Sequence, residues 1–426
     1  MNRLIMNRLA HALTYLGVLF CSALVTLPHR AAAQDWTRYR GPNGQGQSDA
    51  TTIPDHWTDK DYNWQVKLPG VGQSSPVIWG DKIFLTCADP DATLHVLCLS
   101  AKDGKQLWDK KYPSSTYHIH THNSFASSTP ALDKNNVYVA FATPEDYTLL
   151  ALSHEGREVW KRNLGPFESQ HGFATSPIVY EDTVFITDDQ DGPKSFLWAI
   201  NCKNGENKWQ IPRDKAKGNQ NCSYSTPTIY QPEKGLPELI VNSWGQGMTS
   251  VDLRTGKTNW EARVFPLRPI GCPVIAGGLI WGNCGEGSGN NSVFAVKPGD
   301  KSGKQPEVVH KYDKSTAPYV TSLVAYKNWV FFWSDKGFAT CVEADSGKKV
   351  WNERASGPVS GSPIRVQDRL YCITDDGDVV VLAAADKFQK ISTVSLGEHS
   401  RSTPAVSDGV MYLRTESQLF SLGGKK

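Results

Sequence analysis

The chain has 426 residues, with 45 basic and 43 acidic side chains for a formal net charge of +2 and a mean hydropathy of −0.41. A composition of 39 % hydrophobic and 10 % aromatic residues suits a folded protein, while the low hydropathy excludes a polytopic membrane protein. The only basic block is the terminal Lys425-Lys426, so the positive surface that binding a nucleic-acid backbone requires is missing.

Residues 1–33 read as a secretory leader. Arg3 and Arg8 give a basic start, Ala12 to Leu27 is mostly apolar, and Ala31-Ala32-Ala33 supplies a small-residue cleavage site before Gln34. The apolar run is short for a membrane span, so no stable span is expected after cleavage. Cys21 follows Phe20 rather than the small residue that a lipidation signal wants. Removing the leader takes away three arginines and no acid. The basic count falls from 45 to 42 against 43 acids, and the mature net charge becomes −1.

Residues 34–61, including WTRYRGPNGQG, form a Gly-rich lead-in expected to wrap one face of the domain that follows. From residue 62 onward the chain repeats. Ser75-Pro76, Thr129-Pro130, Ser176-Pro177, Thr226-Pro227, Cys272-Pro273, Ser362-Pro363 and Thr403-Pro404 each open a β-rich run, with Thr321-Ser322-Leu323 filling the one gap. The steps from Pro76 are 54, 47, 50, 46, 50, 40 and 41 residues, a period that points to a propeller.

Within one unit, Pro130–Leu132, Val137–Thr143, Thr148–Ser153 and Glu158–Leu164 read as four strands separated by turns. Gly156 supplies the positive φ that the last hairpin needs. That hairpin, SHEGREVW, has counterparts in AKDGKQLW, CKNGENKW, LRTGKTNW and ADSGKKVW, ending at Trp108, Trp209, Trp260 and Trp351 beside its own Trp160. An outer-strand Trp fills the widening gap between radially arranged blades, so these residues and Trp64 are assigned to inter-blade packing; His310 and Ile391 stand in degenerate units. Eight openers imply eight blades. The last lacks an outer strand, and YNWQVKLP at 62–69 supplies it. The expected fold is therefore all-β, an eight-bladed propeller of four-stranded antiparallel blades closed by an N-terminal strand, over residues 62–426.

The pattern of Ser/Thr-Pro, β-run, then Ala-x-Asp-x-x-x-Gly-x-x-x-Trp resembles the PQQ-like repeat, named for pyrroloquinoline quinone. The resemblance spans about residues 62–423. It implies one of two kinds of protein: quinoprotein dehydrogenases, or non-catalytic propellers of the BamB-like branch. The former carry an adjacent Cys-Cys disulfide, acidic Ca²⁺ ligands and a catalytic Asp. Here no two of the nine cysteines are neighbours, and no acid aligns to a catalytic role. The resemblance therefore implies a periplasmic, non-catalytic scaffold for envelope proteins or polysaccharide, with no cofactor. A quinoprotein-type oxidoreductase using PQQ, Ca²⁺ or another metal stays as an alternative, and so does a carbohydrate-binding or carbohydrate-active propeller.

Candidate ligand residues gather on the face where the inner strands start. His118, His120 and His122 alternate in TYHIHTHNS, with His171 and His399 in matching approaches. Three imidazoles on one side of an extended segment suit Zn, Cu, Fe or Ni, whereas a solvated polar loop is the plainer reading. Asp189 and Asp191 lie in DDQDG, a carboxylate cluster before Gly that suits Ca²⁺ or a hydrogen-bonded turn, and Glu286 occupies the equivalent turn of its unit. Eight cysteines remain after leader removal. Cys272 and Cys284, on one hairpin, are a candidate disulfide, and buried free thiols are the alternative. No nucleophile elbow, P-loop or zinc-helix motif occurs.

Overall fold

The computed structural model describes residues 35–216 and 221–424. The leader lies outside the described residues. The described chain builds eight sheets, each with four antiparallel strands and one of them with a fifth, parallel strand from the lead-in; it has no α-helix and only two short 3₁₀ turns. No helix among the described residues is long and apolar enough to cross a membrane.

Blade one comprises Val77–Trp79, Lys82–Ala88, Leu94–Ser100 and Gln106–Tyr112. Blade two comprises Ala131–Leu132, Asn136–Ala142, Tyr147–Ser153 and Glu158–Asn163, each within about a residue of its expected bounds. Blades three to seven follow from Ile178, Thr228, Val274, Val324 and Ile364. Blade eight takes Ala405–Ser407, Val410–Arg414 and Gln418–Gly423 from the C-terminus, and its outer strand Tyr62–Lys67 pairs antiparallel with Gln418–Gly423. That pairing closes the ring and leaves no sheet without its fourth strand.

The middle strands are buried on both faces and read as continuous apolar runs. Phe84, Val96 and Cys98 of blade one pack on Val137, Val139 and Leu150 of blade two, so each interior is shared between neighbours. The recurrent hairpin works in the same way. Trp64, Trp108, Trp160, Trp209 and Trp351 donate their indole N–H to the carbonyls of Ala101, His154, Cys202, Leu253 and Ala385, each in the last hairpin of the next blade, at 2.9–3.0 Å. In the first four of those hairpins the glycine (Gly104, Gly156, Gly205, Gly256) has φ of +71° to +80°, and a Cβ there would meet the incoming indole ring at 2.8–2.9 Å. The Gly and Trp of one hairpin thus serve two different interfaces. In blade five His310 replaces the tryptophan and brings Nε2 to 3.1 Å from the Asp345 carbonyl. Trp260 is the exception: the hairpin ahead of it runs from Pro298 to Pro306, and its indole N–H has no acceptor.

The openers form a belt. The backbone N–H of Ser75 donates to Thr129 Oγ1 (2.9 Å), Thr129 to Ser176 Oγ (3.0 Å), Cys272 to Ser322 Oγ (3.0 Å) and Ser322 to Ser362 Oγ (2.9 Å). Ser362 then donates to Thr403 Oγ1 (3.0 Å), and Thr403 returns to Ser75 Oγ (3.1 Å). Six of the eight blade junctions are joined this way. The two junctions without this bond among the described residues are that of blades three and four, where Thr226 carries the hydroxyl, and that of blades four and five, where Cys272 carries a thiol in its place.

The lead-in follows the far ends of the inner strands around the ring and reaches the first hairpins on that side: the Gly80 N–H donates to the Asp35 carboxylate, the Gln367 side chain to the Asp49 carbonyl and the Thr52 hydroxyl to the Gly409 carbonyl. Trp36 bridges to Ile78, and the Leu132 N–H donates to the Thr37 carbonyl at 2.8 Å. Asn43 pairs with both backbone groups of Ile229 (2.7 and 2.9 Å), and Gln45 accepts from the Ile275 N–H (2.9 Å). Gln47 donates to the Ala325 carbonyl (3.0 Å), and Gln47–Ser48 pairs parallel with blade seven. The cause is unpaired backbone: inner strands expose a free edge to the channel, and Asn and Gln side chains carry the donor and acceptor to fill it.

Candidate functional site

With its lower end filled, the channel opens on the other face as a funnel of about 590 Å³. Tyr39 of the lead-in closes its base, its hydroxyl 3.1 Å from Ser362 Oγ and 3.4 Å from Thr403 Oγ1. The belt hydroxyls of Ser75, Thr129 and Ser176 line the floor. The walls come from the loops that precede each inner strand. The residue two places before every opener faces the cavity: Gln73, Ser127, Ala174 and Tyr224 in the first four repeats, then Ile270, Val320, Ser360 and Arg401.

Of the residues picked out from sequence, His120, His122, His171 and Glu286 line the funnel; His118, Asp189, Asp191 and His399 do not. His120 and His171 stack with ring centroids 5.1 Å apart, and His122 meets His120 edge-on at 5.3 Å. The His122 N–H donates to His120 Nδ1 at 3.1 Å, which places the proton of neutral His120 on Nε2. Burial, then the Arg268 guanidinium and His120, pushes His171 down to about 4. Burial and the neighbouring His122 and Arg401 also lower His120. Both rings are therefore neutral near pH 7. Among the described residues no group of three or more His, Cys, Asp or Glu is arranged to hold a metal ion. The segment carrying these histidines is not a strand, being irregular through His120 with a turn at 121–122, and it brings His120 and His122 but not His118 to the cavity.

The acids are engaged one by one. Asp191 accepts from the backbone N–H groups of Asn221, Cys222 and Gln170 at 2.6–3.2 Å and so caps two loops. Asp189 is fully buried 3.5 Å from Arg213 Nε, away from the cavity lining. Glu286 sits at the rim and accepts from Ser288 and Asn290. His399 is exposed and bonds the Asp375 carbonyl at 2.9 Å. All eight cysteines of the described residues are free and buried, so Cys272 and Cys284 do not form a disulfide. They lie at different places in the same blade: Cys284 packs in an apolar cluster with Phe265 and Phe294, whereas Cys272 is buried beside Arg38, Tyr39 and Arg40 of the lead-in.

The residue that dominates the wall, Arg268, carried no motif. It is 6 % exposed, yet no carboxylate pairs with it among the described residues. Its Nε donates to the Cys222 carbonyl at 3.0 Å, and Nη1 lies 3.3 Å from the His171 ring and 3.4 Å from the Tyr319 hydroxyl. Its guanidinium carbon stands 5.9 Å from the Tyr224 ring and 5.6 Å from the Trp244 ring. Asp335, also in the lining, spends both carboxylate oxygens on the N–H groups of Tyr319 and Val320 (2.7 and 2.8 Å). Arg401 lies 3.8 Å from Asp375. Tyr39, Tyr224, Arg268, Tyr319, Asp335, Asp375 and Arg401 were not singled out from sequence. For Tyr224 and Arg401 the available signal was position relative to the openers, not residue type.

The profile of the family described as outer membrane protein assembly factor BamB matches residues 57–306 and 313–422. No curated protein sequence matches. Among solved structures, BamB from Moraxella catarrhalis is similar at 14 % identity and a TM-score of 0.57, over 84 % of this chain and 95 % of that one. Quinohemoprotein alcohol dehydrogenase from Comamonas testosteroni is similar at 13 % identity and a TM-score of 0.66, over 92 % and 81 %. A computationally designed protein, Ika8, is similar at 11 % identity and 0.58, over 85 % and 99 %. At these identities the likeness establishes the fold.

Proposed function

Because the chain belongs to the PQQ-like-repeat propeller family whose profile is described as outer membrane protein assembly factor BamB, we propose that it is a non-catalytic binding propeller of the periplasm. In this reading its funnel face holds a group carried by an envelope protein or polymer. The observation that carries the reading is Arg268, a guanidinium walled in by aromatic rings at a cavity of ligand size, with no carboxylate of its own. A guanidinium held by a carbonyl and two rings but by no carboxylate is left to form a charge-assisted hydrogen bond with an anionic group of a ligand.

The quinone that names the repeat fits poorly. The lining acids Asp335 and Glu286 accept from donors of their own loops and Asp375 stands 3.8 Å from Arg401, and among the described residues no three His, Cys, Asp or Glu side chains are grouped as Ca²⁺ ligands would be. The buried thiols are distant in sequence and free. No step through a quinone is derived.

The test is a ligand screen of the full chain against peptide and glycan arrays, repeated with Arg268→Gln. Retention on the wild type that is lost in the variant at unchanged melting temperature is the expected result. A parallel titration with PQQ and Ca²⁺, followed by quinone absorbance and dye reduction with alcohols, supplies the refutation: saturable binding with electron transfer makes the protein an oxidoreductase.

A further inference from the structure

Resting on that reading, we propose that the funnel is built for an oxyanion carried on a sugar ring, that is, for an acidic saccharide unit of an envelope polymer. The argument is a count of the hydrogen-bonding groups left over after the protein has satisfied itself.

Donors are in excess. A Ser or Thr hydroxyl offers one proton and two lone pairs. In the belt, Ser75, Thr129 and Ser176 use a lone pair to accept the N–H of the preceding blade (Thr403, Ser75 and Thr129 respectively). Their protons are untouched by that bond, and no protein acceptor takes them among the described residues. All three line the floor, on consecutive blades. The matching hydroxyls of Ser362 and Thr403 instead face Tyr39. The free protons therefore gather on one side of the cup. Arg268 adds its guanidinium from the wall, held by the Cys222 carbonyl and stacked by Tyr224 and Trp244, so that it cannot swing out to water.

The lining acceptors are fewer and are held by their own loops. Asp335 accepts from two backbone N–H groups and Glu286 from side chains at the rim, while Asp375, 3.8 Å from Arg401, accepts from Ser360 and keeps its other carboxylate oxygen for a sugar hydroxyl. A cup with spare donors and one uncompensated cation selects an oxyanion. Beside it, Tyr224, Tyr319, Ile270 and Val320 give an aromatic and apolar wall, and His120 keeps an Nε2–H for a hydroxyl oxygen. This combination suits a ring with one apolar face, polar edges and an acidic substituent.

An acidic peptide suits it less well. An extended chain gains most by adding to a free strand edge. Here the belt and the lead-in occupy those backbone groups, and Tyr39 closes the base. The oxyanion itself has two sources, a uronic-acid carboxylate or a phosphate on the sugar, with the same donors serving either.

The experiment is calorimetry on the full chain with oligogalacturonate, a hexose phosphate, the neutral hexose oligomer and an oligoglutamate peptide. The expected result is saturable binding of an acidic saccharide, at least tenfold weaker binding of the neutral oligomer, and at least a tenfold loss in Arg268→Gln at unchanged melting temperature. Whichever of carboxylate and phosphate binds more tightly identifies the source. A second readout is His171 imidazole titration by NMR: an anion seated on Arg268 should move its midpoint upward, which a purely structural role for Arg268 would not do. Equal affinity for neutral and acidic oligomers overturns the proposal, as does tighter Arg268-dependent binding of the peptide. The latter outcome leaves the funnel as the binding site and removes only the saccharide. Full affinity in Arg268→Gln removes both.

Discussion

The cross-blade pairing of glycine and tryptophan makes a quantitative prediction at Gly205 and Trp160. Gly205 has φ +73°, and a Cβ there would lie 2.8 Å from the Trp160 ring of the preceding blade. Gly205→Ala therefore carries two costs: about 1–2 kcal/mol for an L-residue in the left-handed region and about 1–3 kcal/mol for the forced overlap with the indole. Trp160→Ala alone removes a side chain that is 8 % exposed together with its bond to the Cys202 carbonyl, and should cost about 3–5 kcal/mol. In the double variant the overlap has vanished, and only the backbone cost of the Gly205→Ala change is left. The two changes should then be less than additive by about 1–3 kcal/mol, which lies within the range seen for residues in contact. Urea denaturation of the four proteins, followed by far-UV circular dichroism so that loss of a tryptophan does not alter the probe, measures this. Additivity to within about 0.5 kcal/mol would refute the claim that the repeat's glycine exists to seat its neighbour's tryptophan. The same cycle at Gly256 and Trp209, where the separation is 2.9 Å, should reproduce the result.

Three further perturbations test other parts of the fold. Cys272→Ser puts a hydroxyl ahead of the Thr226 N–H, completing another junction of the belt; the urea midpoint should rise by the equivalent of about 0.5–1 kcal/mol, and a fall would count against the belt. Asn43→Asp sets a carboxylate oxygen against the Ile229 carbonyl that Asn43 now donates to at 2.7 Å; it should cost about 1–3 kcal/mol at neutral pH and recover in acid, where the protonated carboxyl donates again, as melting curves at pH 7 and pH 4 would reveal. Burial pushes the Asp188 carboxyl up to about 8, against the Gln190 amide that donates to it. Because the folded state then binds more protons than the unfolded one between about pH 4 and pH 8, stability is lost as pH rises through that window; Asp188→Asn should be more stable than the wild type at pH 8 and converge with it near pH 4, and a constant gap would contradict this.

Some of this was legible in the sequence for one reason: repetition makes a physical constraint visible. The Ser/Thr-Pro openers and the Gly–Trp hairpins recur because each blade meets the same neighbour in the same geometry, so blade count, strand bounds and ring closure by Tyr62–Lys67 could be read off spacing. The partners of those residues could not. Nothing local says that Trp160 belongs with Gly205 rather than Gly156, or that the Ser176 hydroxyl accepts from Thr129. The partners of the lead-in were hidden for a related reason. A Gly-rich stretch without period-2 alternation gives no strand signal, and between its backbone bridge at Trp36 and its short ladder at Gln47–Ser48 the pairing runs through the Asn43, Gln45 and Gln47 side chains. At the site, residue chemistry misled. Histidines and clustered aspartates drew notice, yet Asp191 is a loop cap and Asp189 a buried ion pair, while Arg268 had no motif to mark it.

The position two residues before each opener suggests where functional variation is stored, with Arg268 lying two residues further upstream of Ile270. Eight geometrically equivalent sites surround one cavity, and the backbone beneath them is occupied by the belt and the lead-in, so these side chains are free to differ without disturbing the ring. They do differ: Gln73, Ser127, Ser360 and Arg401 are polar, whereas Ala174, Ile270 and Val320 are apolar and Tyr224 is aromatic. A fold fixed by interfaces that every repeat shares leaves specificity to the polar atoms those interfaces do not consume. By that measure the informative residues are the ones with something left over: Arg268 with its unpaired charge, and the Ser75, Thr129 and Ser176 hydroxyls with their unused protons.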